Sequence, residues 1–404
     1  MSKLPVDKFF QLLRYAIGTS VEFPKDIPEE MWTDIYKIAR QQALLGILFH
    51  GIQNNSSVRM EKSLLLQWYA VNEQIKGRNV VMNKKCVELT EMLKQDGFES
   101  CILKGQGNAL LYEVRGESLA LLRMPGDIDV WTMPGERSKD KGQRLKIREI
   151  IRYVKTKNPD AKACYHHVDY GMFKGVEVEV HYRPSFMFNP VHNSRLQKWF
   201  IQMADVGCQM AELPEGVGSV RVPNREFNVL FQLSHIYNHL LHEGIGLRQI
   251  IDYYYLLRKV QGSRFKVQSQ LTVQDSRFKV QGSTKSLDET LKYLGLERIA
   301  GAVMWVLGYL VHGEGFMVHG FKRDEWMICE PDERRGKLLL DEIMKGGNFG
   351  QYDFDGRRKK EDGRVMKNIQ RIKRDIRMVR YFPSECMWEP MFRVYHWFWR
   401  QWYN

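Results

Sequence analysis

The nine residues Arg123-Met-Pro-Gly-Asp-Ile-Asp-Val-Trp131 join a proline-glycine turn to a short apolar strand that carries two acids. Side chains two positions apart in a β-strand lie on the same face, so Asp127 and Asp129 project together. The alternating residues, Ile128 and Val130, point into the core. Neighbouring carboxylates repel each other unless a cation neutralises them, and Mg²⁺ is a hard cation that also binds substrate phosphates. The pattern therefore predicts a metal site on this strand.

A shorter motif, Ile102-Leu-Lys-Gly105, precedes these acids in the chain. We predict a strand over residues 99–103 and a helix over residues 105–112. Two cations are placed to neutralise the charge of a triphosphate: Lys104 lies between the two elements, and Arg123 lies just before the acids. The guanidinium of arginine can also form bidentate hydrogen bonds to phosphate. Structural pairing of both cations with the same aspartates is the alternative.

A third carboxylate is expected from the strand Val176-Glu-Val-Glu-Val-His-Tyr182, because two-metal sites usually need one. Period-two alternation places Glu177, Glu179 and His181 on one face of that strand. If the strand pairs antiparallel beside the Asp127 strand, Glu179 meets the same metal ions across the ladder. We choose Glu179 as the third acid, and Glu177 remains open.

The surrounding pattern predicts an α+β protein in three parts. Residues 1–95 form an N-terminal helical region, residues 96–187 form an α/β core with a small mixed sheet, and residues 188–404 form a C-terminal helical region. Within the core, Lys174-Gly175 separates two strands of a predicted hairpin. A low-complexity insertion at about residues 260–284 contains two copies of Gln-x-Ser-Arg-Phe-Lys-Val-Gln, and we interpret it as an extended loop without a direct role in chemistry.

The composition indicates a folded protein with polyanionic partners. Hydrophobic residues make up 44% of the 404 residues and charged residues 27%, and the formal net charge is +13. Such a charge suits nucleotides, nucleic acid or acidic membrane surfaces without choosing among them. The six cysteines are scattered without a CxxC pair, and the chain contains neither a signal-peptide pattern nor a sufficiently long apolar segment to span a bilayer. We therefore predict a soluble cytoplasmic protein, with its oligomeric state open.

The Lys-Gly motif, the Gly-Asp-Ile-Asp-Val strand and the later acidic-x-His strand resemble a family of uncharacterised bacterial nucleotidyltransferases in the DNA polymerase beta-like superfamily. The resemblance covers roughly residues 30 to 260. It implies that Gly105 is the turn glycine facing a triphosphate, that Asp127 and Asp129 bind two metal ions, and that Glu179 assists them. Gln106 differs from the family, which usually has serine or glycine after the turn glycine. The segment 244–252 also matches, with Arg248 or Asp252 expected at the cleft.

These features together predict a Mg²⁺-dependent enzyme that transfers a nucleoside monophosphate from an NTP to an unidentified acceptor by a two-metal mechanism. A different class stays open, in which the same fold holds a nucleotide or RNA with little catalysis, as a toxin–antitoxin component would. A third class is a zinc hydrolase. His235, His239 and His242 share a helix face at a spacing compatible with zinc, although histidines hydrogen-bonded beside a polar interior are the more ordinary interpretation.

Overall fold

The computed structural model describes residues 3–53, 55–135, 142–204, 206–260, 286–317, 321–348 and 364–403. The repeat-containing insertion predicted at about residues 260–284 therefore lies almost wholly outside the described residues. The three-part division of the chain stays a prediction. None of the helices within these ranges combines the length and the apolar content needed to cross a bilayer.

Helices dominate the described chain. Each of the early helices buries apolar residues three and four positions apart, as Ile35, Ile38 and Ala39 do. Asn189 illustrates how a helix begins, because its side chain accepts hydrogen bonds from two backbone N–H groups of the first turn, and Pro190 occupies the first helical position. The helices are α1 (Lys3–Ala16), α2 (Met31–Gln41), α3 (Leu45–Gln53), α4 (Lys62–Gln95), α5 (Gln106–Ala109), α6 (Gln143–Lys157), α7 (Pro190–Met203), α8 (Arg225–His242), α9 (Leu247–Val260), α10 (Leu287–Leu294), α11 (Glu297–His312), α12 (Glu333–Gly346), α13 (Arg364–Val379) and α14 (Pro383–Tyr403).

A four-stranded mixed sheet and two small hairpins complete the α+β fold, which confirms the predicted class. The strands are β1 (Phe98–Ile102), β2 (Glu113–Val114), β3 (Glu117–Ser118), β4 (Ile128–Pro134), β5 (His167–Phe173), β6 (Val176–His181), β7 (Cys208–Leu213) and β8 (Gly218–Pro223). The main sheet has the order β1-β4-β6-β5, in which β1 is antiparallel to β4 and β4 is parallel to β6. This mixture follows from the β5–β6 hairpin, which reverses the chain once before β6 reaches β4.

The hairpin between β5 and β6 forms where Lys174-Gly175 predicts it. Both turn residues have positive φ, 47° for Lys174 and 92° for Gly175, as a type I′ turn requires. Two other predictions need correction. The helix predicted over residues 105–112 is only the short α5, and the C-terminal region predicted as helical contains the β7–β8 hairpin, whose side chains are too widely exposed to show a clear alternation.

The helix α14 packs against the segment that leads into β5. The ring of Tyr165 contacts the ring of Phe392 with centroids 5.1 Å apart, and the backbone N–H of Tyr165 donates to Nε2 of His396 at 3.1 Å. Trp399 is also buried against this segment. The last described helix thus fixes the entry to the strand that borders the candidate site.

Candidate active site

Three carboxylates meet where β4 and β6 lie side by side. Asp129 is directly opposite Glu179 in the register of these two strands, and one oxygen each from Asp127, Asp129 and Glu179 lie within 4.8 Å of one another. We call these three residues the acidic cluster. The pairing that joins them is parallel, not antiparallel as expected from the sequence. The outcome is the same, because direct opposition brings the carboxylates together in either direction.

Glu177 lies on the same strand but outside this cluster. Its partner across the β5–β6 ladder is Met172, and its side chain is exposed. Glu179, two residues later, is half-buried and reaches the acids of β4. Of the two glutamates that the sequence leaves open, the structure thus brings Glu179 to the aspartates. Its role as a third acid stays a prediction.

Two cationic side chains hold the acidic cluster from inside the protein. Lys104 Nζ lies 3.0 Å from Asp129 Oδ1, and His181 Nε2 lies 2.9 Å from the same oxygen. Burial alone would lower the pKa of Lys104, but the carboxylates of the cluster outweigh it and raise that pKa. Burial would likewise raise the pKa of Glu179, whereas His181, His167 and Lys104 lower it to about 2. Glu179 is therefore ionised, and Lys104 offsets part of the negative charge of the cluster.

Gly105 begins α5 beside the acidic cluster with φ 57° and ψ −107°, a conformation that residues with a side chain rarely adopt. A Cβ at this position would lie 3.5 Å from the carbonyl oxygen of Asp127. Gln106, which departs from the family pattern, is buried and donates from Nε2 to Asn83 Oδ1 on α4. The turn thus brings the backbone close to the first aspartate, while Gln106 serves packing.

Arg123 forms an internal ion pair. Its Nε donates to Asp252 Oδ1 and its Nη2 to Asp252 Oδ2, both at 2.7 Å, and the hydroxyl of Tyr112 donates to Oδ1 at 2.7 Å. All three side chains are buried. Burial would raise the pKa of Asp252, but Arg123 and Tyr112 lower it. We call this arrangement the Arg123–Asp252 pair. It links α9 to the loop before β4. Arg123 lies at the cleft, but its Nε and Nη2 groups already donate to Asp252.

The opposite wall of the cleft comes from α8 and α9. Arg248 Nη1 donates to the carbonyl of Met124 at 3.0 Å and lies near Gly126. Gln232 Nε2 donates to Asn108 Oδ1 at 2.9 Å and so ties α8 to α5. The full lining consists of Lys104, Gly105, Asn108, Arg123, Gly126, Asp127, Asp129, Gln232, His235, Ile236, Arg248, Gln249 and Asp252. Both residues expected from segment 244–252, Arg248 and Asp252, border the cleft.

The three histidines of α8 do not converge. His235 and His239 contact each other with Nε2 atoms 2.9 Å apart, whereas His242 stacks on Phe188 with ring centroids 5.8 Å apart. The groups of three candidate metal ligands that the described residues bring together do not include this helix face. The geometry therefore gives no support to a zinc hydrolase built on α8.

Sequence reasoning missed a second group of candidate ligands next to the acidic cluster. Cys164, His166 and His167 each offer one ligand atom within 4.8 Å of the others, and His167 also approaches Glu179. The signal was present in the sequence as Cys164-Tyr-His-His167. Cys164 and His166 lie in a loop and His167 begins β5, so helical spacing does not single these residues out.

Comparisons with known proteins identify the family of the chain. Among solved structures, an antigenic nucleotidyltransferase-like protein from Paracoccidioides brasiliensis is similar, with 14% identity over 45% of this chain and 83% of that chain and a TM-score of 0.27. That overlap is too weak to support a conclusion. No curated protein matches. The model of a family described as uncharacterised nucleotidyltransferase matches residues 28–278, more than half of the 404 residues, and confirms the resemblance inferred from the motifs. The chain belongs to this uncharacterised nucleotidyltransferase family.

Proposed function

We propose that the protein transfers a nucleoside monophosphate from an NTP to an acceptor hydroxyl or phosphate, with Asp127, Asp129 and Glu179 as its catalytic centre. The observation that carries this proposal is a cleft lined by Asp127, Asp129, Lys104 and the glycine turn at Gly105, with Glu179 beside the two aspartates. Membership of a nucleotidyltransferase family supports the reaction type. The acceptor and the base of the nucleotide are left open, and Mg²⁺ and a cytoplasmic location remain predictions.

The donor set of the acidic cluster fits a hard divalent cation. Its ligand atoms are carboxylate oxygens, which Mg²⁺ prefers over nitrogen or sulfur, and their separation of at most 4.8 Å suits shared coordination. Binding of one or two such ions would relieve the repulsion among the three carboxylates, which Lys104 and His181 now offset only in part. When bound, two Mg²⁺ ions would neutralise the triphosphate and polarise the acceptor oxygen.

The protein's own groups would orient the substrates. Lys104, held at the cluster, would face the charge of the triphosphate, and the turn at Gly105 would bring the backbone close to it. The Arg123–Asp252 pair would fix the loop that carries the acids. The acceptor oxygen forms a bond to the α-phosphorus as the bond to the leaving pyrophosphate breaks, and the acceptor proton passes to a carboxylate of the cluster. Positioning and electrostatic stabilisation would supply most of the acceleration.

Transfer of label from α-labelled NTPs, with Mg²⁺ and a pool of metabolites, RNA and protein as acceptors, tests the proposal. Wild type should label an acceptor and release pyrophosphate, and Asp127→Asn and Glu179→Gln should abolish both. Glu177→Gln is a matched control on the same face of β6 and should retain activity. Loss of activity in Glu177→Gln but not in Glu179→Gln would overturn the assignment of the third acid.

RNA binding without transfer is the competing outcome. A protein of the binding class would show salt-dependent affinity for RNA that Asp127→Asn leaves unchanged, because that affinity comes from the +13 charge rather than from the acids. Wild-type protein that binds RNA in this way but transfers no label from any NTP would contradict the enzymatic proposal.

A further inference from the structure

Cys164, His166 and His167 bring three side chains with nitrogen and sulfur donors together beside the acidic cluster. The backbone N–H of Cys164 donates to the carbonyl of His167 at 2.9 Å, which folds the short segment back on itself. Cys164 Sγ lies 3.4 Å from His166 Nδ1, and His166 Nε2 lies 3.0 Å from His167 Nδ1. Local chain geometry thus places the three donors side by side.

The donor set differs in kind from the acidic cluster. One thiol sulfur and two imidazole nitrogens suit a borderline-soft ion such as Zn²⁺, whereas the carboxylates suit Mg²⁺. In a tetrahedral zinc site, Zn–N bonds of about 2.0–2.1 Å put neighbouring nitrogens about 3.4 Å apart, and a Zn–S bond of about 2.3 Å puts sulfur and nitrogen about 3.6 Å apart. Cys164, His166 and His167 each bring one ligand atom within 4.8 Å of the others, so small side-chain adjustments would reach these values. The short contacts of His166 use its two different ring nitrogens, of which one would bind the ion.

The surroundings of His167 complete the arrangement. Its Nε2 lies 3.0 Å from Asp169 Oδ1, so the carboxylate can accept the N–H of a ring whose Nδ1 faces the other donors. Metal-bound histidines commonly have such a carboxylate, which fixes the tautomer and the ring orientation. Glu179 Oε2 lies 3.5 Å from His167 Nδ1 and offers an oxygen next to the group.

We propose that Cys164, His166 and His167 bind a zinc ion, with Asp169 orienting His167 and Glu179 as the fourth ligand. Cys164, His166 and His167 lie outside the Mg²⁺ site of the proposed function, and only Glu179 belongs to both, so zinc binding does not depend on nucleotide transfer. The two sites would be joined through Glu179, so zinc would hold the β5–β6 hairpin in the position that presents this glutamate to the aspartates.

Cobalt spectroscopy on the full chain tests the site without using enzymatic activity. Protein made without a histidine tag is stripped of metal, dialysed and titrated with Co²⁺ alone. We expect intense visible bands of a tetrahedral centre and a thiolate-to-cobalt absorption in the near ultraviolet that Zn²⁺ removes. The thiolate absorption should saturate at about one Co²⁺ per chain, because only one cysteine contributes to it. The proposal would be overturned if folded wild-type protein shows no thiolate-to-cobalt absorption and, after Zn²⁺ is added and the excess is dialysed away, retains no zinc.

Variants assign the ligands. Cys164→Ser should lose the thiolate absorption, and Asp169→Asn should lower zinc affinity by about 10–100-fold. Cys329→Ser, at another half-buried cysteine, should bind zinc as wild type does. Circular dichroism checks that each variant is folded, and His166→Gln replaces Cys164→Ser if the latter is not. Thiolate absorption that survives in Cys164→Ser, or that disappears in Cys329→Ser, would contradict the assignment. Zinc binding by a chain that transfers no nucleotide would disprove only the proposed function.

Discussion

The two aspartates of the acidic cluster and the Arg123–Asp252 pair line one cleft, but the charges of the cluster and of the pair are balanced in different ways. In the Arg123–Asp252 pair, one cation meets one anion through two hydrogen bonds of 2.7 Å, and Tyr112 adds a third. In the acidic cluster, three carboxylates share cations, and both Lys104 and His181 contact the same oxygen of Asp129. The pair has matched charges and stabilises a loop. The cluster has excess negative charge and keeps the capacity to bind a cation.

The largest effect should follow from Asp127→Asn, which removes a charge from the cluster at its partly exposed member. Loss of one electrostatic group at an active site commonly lowers kcat by about 10²–10³-fold. The free energy of unfolding should change by less than about 0.5 kcal/mol, because the side chain is not enclosed in the core. Label-transfer assays and urea denaturation measure the two quantities. A variant that unfolds readily but transfers normally when folded would reverse the roles assigned to the two groups.

Asp252→Ala should act on stability instead. It leaves Arg123 buried without its partner, which costs about 3–5 kcal/mol in the free energy of unfolding. The control is the double variant Arg123→Met with Asp252→Leu, which replaces the pair by apolar side chains and should be more stable than Asp252→Ala. Urea denaturation curves decide between them. Equal destabilisation by the single and double changes would mean that the pair contributes through packing rather than charge.

Gly105→Ala should strain the turn that brings the backbone to the cluster. The space around the position is adequate, so the cost of about 1–3 kcal/mol comes from φ 57°. Gly142→Ala is a matched control, because Gly142 has φ −59° and no atom within 4 Å of the added carbon. Thermal unfolding of the two variants gives the comparison. A melting temperature lowered equally in both variants would show that the positive φ of residue 105 imposes no extra cost on a side chain.

A smaller effect should appear at a third group of charges, where Arg393 contacts Asp375 at 3.1 Å and Glu389 at 2.5 Å. Burial and Glu389 raise the pKa of Asp375 to about 6, against the influence of Arg393 and Arg374. The folded state thus binds this proton more tightly than the unfolded state, so wild type loses stability as the pH rises from about 4 through 6. Asp375→Asn should add on the order of 1 kcal/mol above pH 6 after solvent screening, and little at pH 4.

Denaturation midpoints of wild type and Asp375→Asn between pH 4 and pH 8 measure this difference. A constant difference across that range would show that the carboxyl group of Asp375 does not titrate differently in the folded protein. Unlike the acidic cluster, these two carboxylates share a single arginine and lie between helices, so their repulsion is expected to affect stability alone.

Features that depend on local geometry were predictable from the sequence. Alternation along a strand fixed Glu179 and His181 on one face, and Lys174-Gly175 specified a turn with positive φ. The direction of the β4–β6 pairing was not predictable. Because β5 and β6 run in opposite directions, the direction depends on which of them lies next to β4, and the residues of these strands do not determine that choice. The partner of Arg123 was also hidden, since Asp252 is 129 residues away. Two single side chains that pair across a long stretch of sequence produce no periodic pattern from which their contact could be predicted.

The contact between Tyr165 and His396 joins positions 231 residues apart. During synthesis, the segment that leads into β5 leaves the ribosome long before the helix that covers it exists. The nascent protein must therefore keep Tyr165 and its neighbours soluble, or shielded by a chaperone, until α14 arrives. The sheet edge beside Glu179 is consequently covered late, and a ribosome stalled before α14 would display that edge without its covering helix.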